Sequence, residues 1–158
     1  MIAFNRGRAR FNYRIVGIAL HNNQVLLHKA EGGSFWSLPG GRAELLEPAT
    51  ETLKREMREE LDLDMQVERL VWIVEDFYQD GERKIHELAL YFLMTLPSDC
   101  ALYTSPGPFE GQEEHNPLIF QWFPCADLEQ ITLYPTFLQR ALKSLPAGVE
   151  HVFIDEIL

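Results

Sequence analysis

Cysteine is scarce in this chain of 158 residues. Only Cys100 and Cys125 occur, with no C-x-x-C spacing, so neither a disulfide framework nor a thiolate zinc site has its parts. Long apolar runs are missing too: uncharged stretches such as residues 88–94 stop far short of the roughly 20 residues a membrane-spanning helix needs, which excludes a helical membrane protein. Positive charge is in deficit, 14 Lys plus Arg against 24 Asp plus Glu for a net charge of −10. That balance argues against a nucleic-acid partner held by its phosphate backbone, since such binding needs a cationic face. Residues 1–10 carry arginines where a secretory signal would need an apolar stretch of about 7–15 residues. No export signal is expected, and few cysteines suit a reducing, cytoplasmic setting. Repeats, low-complexity segments and Ser/Gly-rich linkers are absent, so residues 1–158 are expected to form a single domain.

What is present alternates strand-like and helix-like stretches. Residues 11–20 and 24–29 are apolar and β-branched around His21-Asn22-Asn23, a turn whose asparagines tolerate positive φ, and they predict a hairpin. Residues 35–38 predict a short strand, stopped by a tight loop at Pro39-Gly40-Gly41. Residues 47–61 predict a helix, with Pro48 suited to its first turn. Residues 67–78 and 84–96 predict two long antiparallel strands around Asp80-Gly81. The polar, proline-containing loop 97–117 is long enough to predict a lid or substrate rim. Residues 118–123 predict a strand and 136–145 a helix, burying Phe137, Ala141 and Leu145 on one side. The pattern is α/β.

The chemistry concentrates in the first helix. Glu56, Glu59 and Glu60 stand at i, i+3 and i+4, so three carboxylates are expected on one outward-facing stripe. Leu53, Met57 and Leu61 form a second stripe that anchors the helix. Like charges at this spacing repel, and a divalent cation would offset them. Hard oxygen ligands favour Mg²⁺ or Mn²⁺ over zinc, and Mg²⁺ characteristically joins carboxylates to substrate phosphates. A Glu-rich helix taken alone reads as a solvated face, but the order of the whole stretch is specific: Gly41, five residues, Glu47, seven residues, then Arg55-Glu56-Met57-Arg58-Glu59-Glu60.

Residues 41–63 thereby resemble the signature of the Nudix hydrolases, and Phe35-Trp36-Ser37-Leu38-Pro39-Gly40-Gly41 is similar to that family's approach to its box. Two positions depart from the pattern. Asp62 replaces a glycine at the helix end, where a left-handed conformation and a small stability cost are expected. Leu46 stands where many members have glycine, which predicts a stiffer loop. The resemblance implies a Nudix fold, a mixed β-sheet sandwiched between α-helices. It also implies hydrolysis of the pyrophosphate linkage of a nucleoside diphosphate joined to another moiety. By similarity, Glu56, Glu59 and Glu60 ligate Mg²⁺ or Mn²⁺ with the Gly40 carbonyl, Arg55 positions the carboxylates and Glu47 supports it. The general base is one of the box glutamates or a late-loop acid: Glu110, Glu113 or Glu114. A small nucleotide-type substrate and a possible homodimer are the implied partners. The alternative is a catalytically silent Nudix-fold module that binds a nucleotide without cutting it, although such modules often lose box carboxylates that this chain keeps.

Outside the box the residues read more plainly. Arg6, Arg8, Arg10 and Arg14 could hold distal phosphates by forked hydrogen bonds, but a solvated, partly mobile segment is the preferred reading. Tyr78 is read as packing rather than base stacking, and His28 and His86 as structural.

Overall fold

A computed structural model describes residues 1–158. Nine strands run β1 (Ala3–Arg6), β2 (Ala9–His21), β3 (Gln24–Ala30), β4 (Gly40–Arg42), β5 (Gln66–Asp80), β6 (Arg83–Thr95), β7 (Phe109–Glu110), β8 (Leu118–Pro124) and β9 (Glu150–Asp155). Helix α1 (Ala49–Leu61) lies between β4 and β5, and α2 (Leu138–Ala141) between β8 and β9. The sheet order is β7-β8-β3-β2-β6-β5-β9, with β1 and β4 also pairing with β2. It is mixed: β2 runs parallel to β6, and β5 is antiparallel to β6 but parallel to β9.

Strand β2 organises the molecule because its alternating side chains serve both faces of the sheet. Ile15 and Ala19 join Leu53 and Met57 of α1 in one core, while Val16 and Ile18 join Leu128, Leu138 and Leu142 in a second core on the other face. The sheet therefore lies between helical layers, as expected of the Nudix fold. The second layer is thinner than predicted: residues 136–145 hold only the one-turn α2, preceded by a 3₁₀ segment at Cys125–Gln130. The residues it buries most deeply are Leu138 and Leu142; Phe137, Ala141 and Leu145 pack at the margin of that core.

Several predicted elements change. The 11–20/24–29 hairpin pairs only at Leu20–Val25 and His21–Gln24. Beyond its left-handed Asn22 and Asn23, β3 leaves to pair along its whole length with β8. Residues 35–38 make only isolated bridges, His28–Ser37 and Trp36–Leu133. The predicted tight loop instead contributes β4, in which Gly40, Gly41 and Arg42 pair with Val16, Ile15 and Arg14. The arginine-rich segment is not a mobile tail: Arg6 lies in β1, and Arg10 and Arg14 in β2. Strands β1 and β9 were not anticipated. Loop 97–117 is partly core, since Cys100 and Leu102 are buried in it. Cys100 and Cys125 are both free, and no helix is long and apolar enough to cross a membrane.

Helix α1 ends at Asp62, whose φ of 52° and ψ of 41° are left-handed, and whose N–H donates to the Arg58 carbonyl at 3.0 Å. Leu46 also has a left-handed φ of 64° while its side chain is fully exposed. Left-handed backbone costs an L-residue roughly 1–2 kcal/mol, part of which glycine returns as unfolded-state entropy. Asp62→Gly and Leu46→Gly are each expected to raise unfolding stability by about 0.5–1 kcal/mol, measured as a higher denaturant midpoint at unchanged slope. A fall in midpoint for either variant contradicts the strain account.

Candidate active site

The three glutamates of α1 do not share one outward stripe. Their exposure is graded: the Glu59 side chain is 52% exposed, Glu56 14% and Glu60 6%. The cause is helical phase. Leu53, Met57 and Glu60 stand at i, i+4 and i+7, so Glu60 shares the buried face of α1 with two residues of 0% exposure. The expectation that these acids all point outward holds for Glu59 and fails for Glu60.

Arg55 gathers the exposed side of the cluster. Its Nε and Nη2 donate to the two oxygens of Glu47 at 3.0 and 3.1 Å, its Nη1 donates to Glu56 at 2.7 Å and to Glu59 at 3.4 Å, and Nη2 reaches the Arg42 carbonyl at 3.3 Å. The buried Thr52 hydroxyl donates to Glu47 at 2.6 Å. A forked guanidinium of this kind fixes direction as well as distance. Its hydrogen bonds hold the Glu47 carboxyl below the usual range, helped by Thr52, and those carboxylates in turn raise the Arg55 guanidinium.

Strand β4 supplies the opposite wall. A Cβ on Gly41 would fall 2.2–2.5 Å from the Glu56 carboxylate atoms, so this glycine is the space in which that carboxylate rests. Gly40 is constrained by backbone: its φ is 154°, and a Cβ there would lie 2.1 Å from the Ile15 carbonyl oxygen. Gly40 lines a cavity of about 270 Å³ together with Glu60, His28 and Arg14.

Electrostatically the buried end is poised. Burial, and secondarily the Glu56 charge, pushes Glu60 up to about 8, against the opposing pull of Arg14. Burial also raises Glu56, with Arg55 opposing. His28 is driven down to about 3 by burial and then by Arg14, so it is neutral at pH 7. Its Nδ1 lies 4.0 Å from Glu60 Oε2, and neither atom has a hydrogen-bond partner. The late-loop acids divide. Glu113 is close enough for its charge to raise Glu60, and the neighbouring Gln112 N–H donates to the Glu60 carbonyl at 2.7 Å. Glu110 lies in β7, and all three of Glu110, Glu113 and Glu114 are exposed.

No three carboxylate or imidazole groups are drawn together as a ready metal cage. The donor set nevertheless fits a hard divalent cation: carboxylate oxygens without thiolate, and one oxygen of Glu60 buried without a hydrogen-bond partner. The folded protein holds protons on Glu60 at pH values where the unfolded chain, with an ordinary carboxyl, has lost them. Asp76, raised to about 7, behaves alike. His28 has the opposite sign, but its effect is confined below its ordinary value of 6.5. Chelator-treated protein is therefore expected to lose stability as pH rises from about 6.5 to 8, by up to about 1.4 kcal/mol per unit for each such proton. Thermal melts across that window check this. Glu60→Gln should flatten the slope, and a level profile in the parent protein contradicts it.

Sequence reasoning set aside two members of the site. Arg14 belongs to β2 and lines both the glutamate cavity and a larger one of about 540 Å³. His28, read as structural, faces a box glutamate. The strand period of two puts Arg14 on the face of Val16, away from the core that α1 covers, so no signal in the sequence placed it beside Glu60. Tyr78, read as packing, also lines the larger cavity.

A family model described as the NUDIX domain matches residues 12–145. Among solved structures, an ADP-ribose pyrophosphatase from Streptococcus suis is 22% identical with a TM-score of 0.62, over 90% of this chain and 98% of that one. A NUDIX hydrolase from Nitrosomonas europaea is 19% identical with a TM-score of 0.65, over 92% and 79% of the two chains. A MutT NUDIX hydrolase from Burkholderia pseudomallei is 22% identical with a TM-score of 0.57, over 82% and 95%. No curated protein matches the chain. At these identities the structural likenesses establish a shared fold.

Proposed function

The chain belongs to the Nudix family, and from that premise we propose that it is a metal-dependent pyrophosphohydrolase, one domain over residues 1–158, acting on a small nucleotide-type substrate. The observation that carries this reading is the Arg55 network, which holds Glu59 and the Glu56 carboxylate resting against Gly41, while the unpartnered Glu60 oxygen lies at the buried end. Glu56, Glu59 and Glu60, with the Gly40 carbonyl, would hold Mg²⁺ or Mn²⁺. Bound there, the cation supplies charge neutralisation for phosphoryl oxygens and lowers the pKa of a water. Arg55 keeps the carboxylates aligned, with Glu47, itself held by the Thr52 hydroxyl, fixing the guanidinium from behind. Arg14, which lines the same cavity as Glu60, offers a cation for phosphate oxygens. Of the late-loop acids, Glu113 is the best placed to accept a proton from the attacking water, because it is the one whose charge Glu60 feels.

The test is hydrolysis of a panel of nucleoside triphosphates, nucleotide sugars, dinucleoside polyphosphates and oxidised nucleotides with and without Mg²⁺, following phosphate or pyrophosphate release. Mg²⁺-dependent cleavage of at least one class is expected. A nucleotide that binds tightly and survives prolonged incubation with Mg²⁺ overturns the enzyme reading in favour of a binding module.

A further inference from the structure

Beside the glutamate cavity lies a larger one of about 540 Å³, on the sheet face turned away from α1. Its walls include Arg14 of β2, Asp76 and Tyr78 of β5, and Glu87 of β6. Phe35 and Tyr134 also line it; they are 46% and 47% exposed, with ring centroids 5.3 Å apart and planes at 65°. They make an aromatic rim over an interior in which Val16, Leu38 and Tyr91 lie beside the charged groups. The two cavities share Arg14, Phe35 and Ser37, so one elongated ligand could occupy both.

Asp76 is the anomaly in this cavity. It is only 8% exposed, and its Oδ1 has no hydrogen-bond partner. It stands directly opposite Glu87 in the β5–β6 register, with Glu156 also lining the cavity. Burial foremost, then the charges of Glu87 and Glu156, pushes the Asp76 carboxyl up to about 7. Like charges facing each other across a strand pair are unfavourable, and a buried acceptor without a donor is more so. A ligand edge carrying N–H donors would relieve both.

Nucleobases differ in what they offer such an edge. Guanine presents two adjacent donors, N1–H and the 2-amino group. Uracil flanks its single N–H with two carbonyls that carboxylates repel, and adenine and cytosine set a ring-nitrogen acceptor beside their amino group. Resting on the hydrolase reading above, the geometry points to this cavity as the seat of a guanine-type base, ringed by Phe35 and Tyr134 and read by Asp76 through its N1–H and 2-amino edge. Arg14 then lies between the base and the phosphates, and Asp76 is a specificity-determining residue of the same site.

Calorimetric titration of the full chain with GMP, IMP, AMP and UMP tests this without relying on catalysis, because none of these ligands has an anhydride bond. GMP is expected to bind at least tenfold tighter than UMP, with IMP, which lacks the 2-amino group, between them. Asp76→Asn keeps the shape but turns one acceptor into a donor, and should weaken GMP about tenfold or more while favouring AMP. Its melting temperature should not fall, since a buried carboxyl is removed. Tyr134→Ala should weaken the two purines GMP and AMP by similar factors of about tenfold, because stacking does not read the edge. Equal binding of GMP and UMP, an Asp76→Asn variant with unchanged base preference, or a Tyr134→Ala variant that binds normally would each overturn the assignment. Selective, Asp76-dependent GMP binding in a protein that cleaves no diphosphate would sink the hydrolase reading alone. Cleavage indifferent to the base would sink this one alone.

Discussion

Glu60→Gln is expected to lower Mg²⁺-dependent turnover by a factor on the order of a thousand, the equivalent of several kcal/mol of lost charge stabilisation, while making the metal-free protein more stable. Both effects follow from one fact: the Glu60 side chain is 6% exposed and lacks a partner on Oε2. An amide of the same shape escapes the cost of burying charge but cannot neutralise a cation. Glu59→Gln, at a largely exposed position, should lose comparable activity with no change in melting temperature. Activity assays paired with melts in chelator separate the two residues. Full activity in either variant removes it from the site, and a Glu60→Gln protein that melts lower contradicts the buried-charge account.

Gly41→Ala is expected to reduce kcat about a hundredfold with stability changed by no more than ~1 kcal/mol, the usual reach of a strain that a side chain can absorb. The new methyl would meet only the end of the Glu56 side chain, which can swing aside. Moving that carboxylate breaks its 2.7 Å hydrogen bond with Arg55 and displaces a group whose position is its contribution. Gly40→Ala is the contrasting case. Its Cβ would strike the Ile15 carbonyl and Val16 backbone, and φ at 154° suits glycine; a loss of about 3 kcal/mol or more from overpacking and backbone strain together is expected. Equal stability losses in the two variants would show that Gly41 is a folding residue and not the berth of Glu56.

Parts of this site were legible because they depend on neighbours along the chain. The left-handed end of α1 at Asp62 was expected from the glycine that the Nudix signature sets at that helix end, and the β5–β6 hairpin from Asp80-Gly81. The fate of β3 was not legible. A hairpin pattern specifies the turn at Asn22-Asn23, but whether two strands stay paired depends on competing partners. Here β1, β4 and β6 take the edges of β2, and β8 takes β3. Residues 39–41 were misread for the same reason. Proline and glycines mark a break in local structure, yet Gly40 and Gly41 are there because a strand edge and a carboxylate approach them from elsewhere in the chain.

The amino-acid order by itself determined the family, because six residues of three types at set intervals on one turn and one helix are a local pattern. The tertiary fold alone decided which of the signature's acids is buried, that Arg14 and His28 face Glu60, and that Asp76 stands without a donor in the adjoining cavity. Burial and charge pairing arise between segments far apart in the chain, where strand register brings them together, and no periodicity within a single segment encodes that distance.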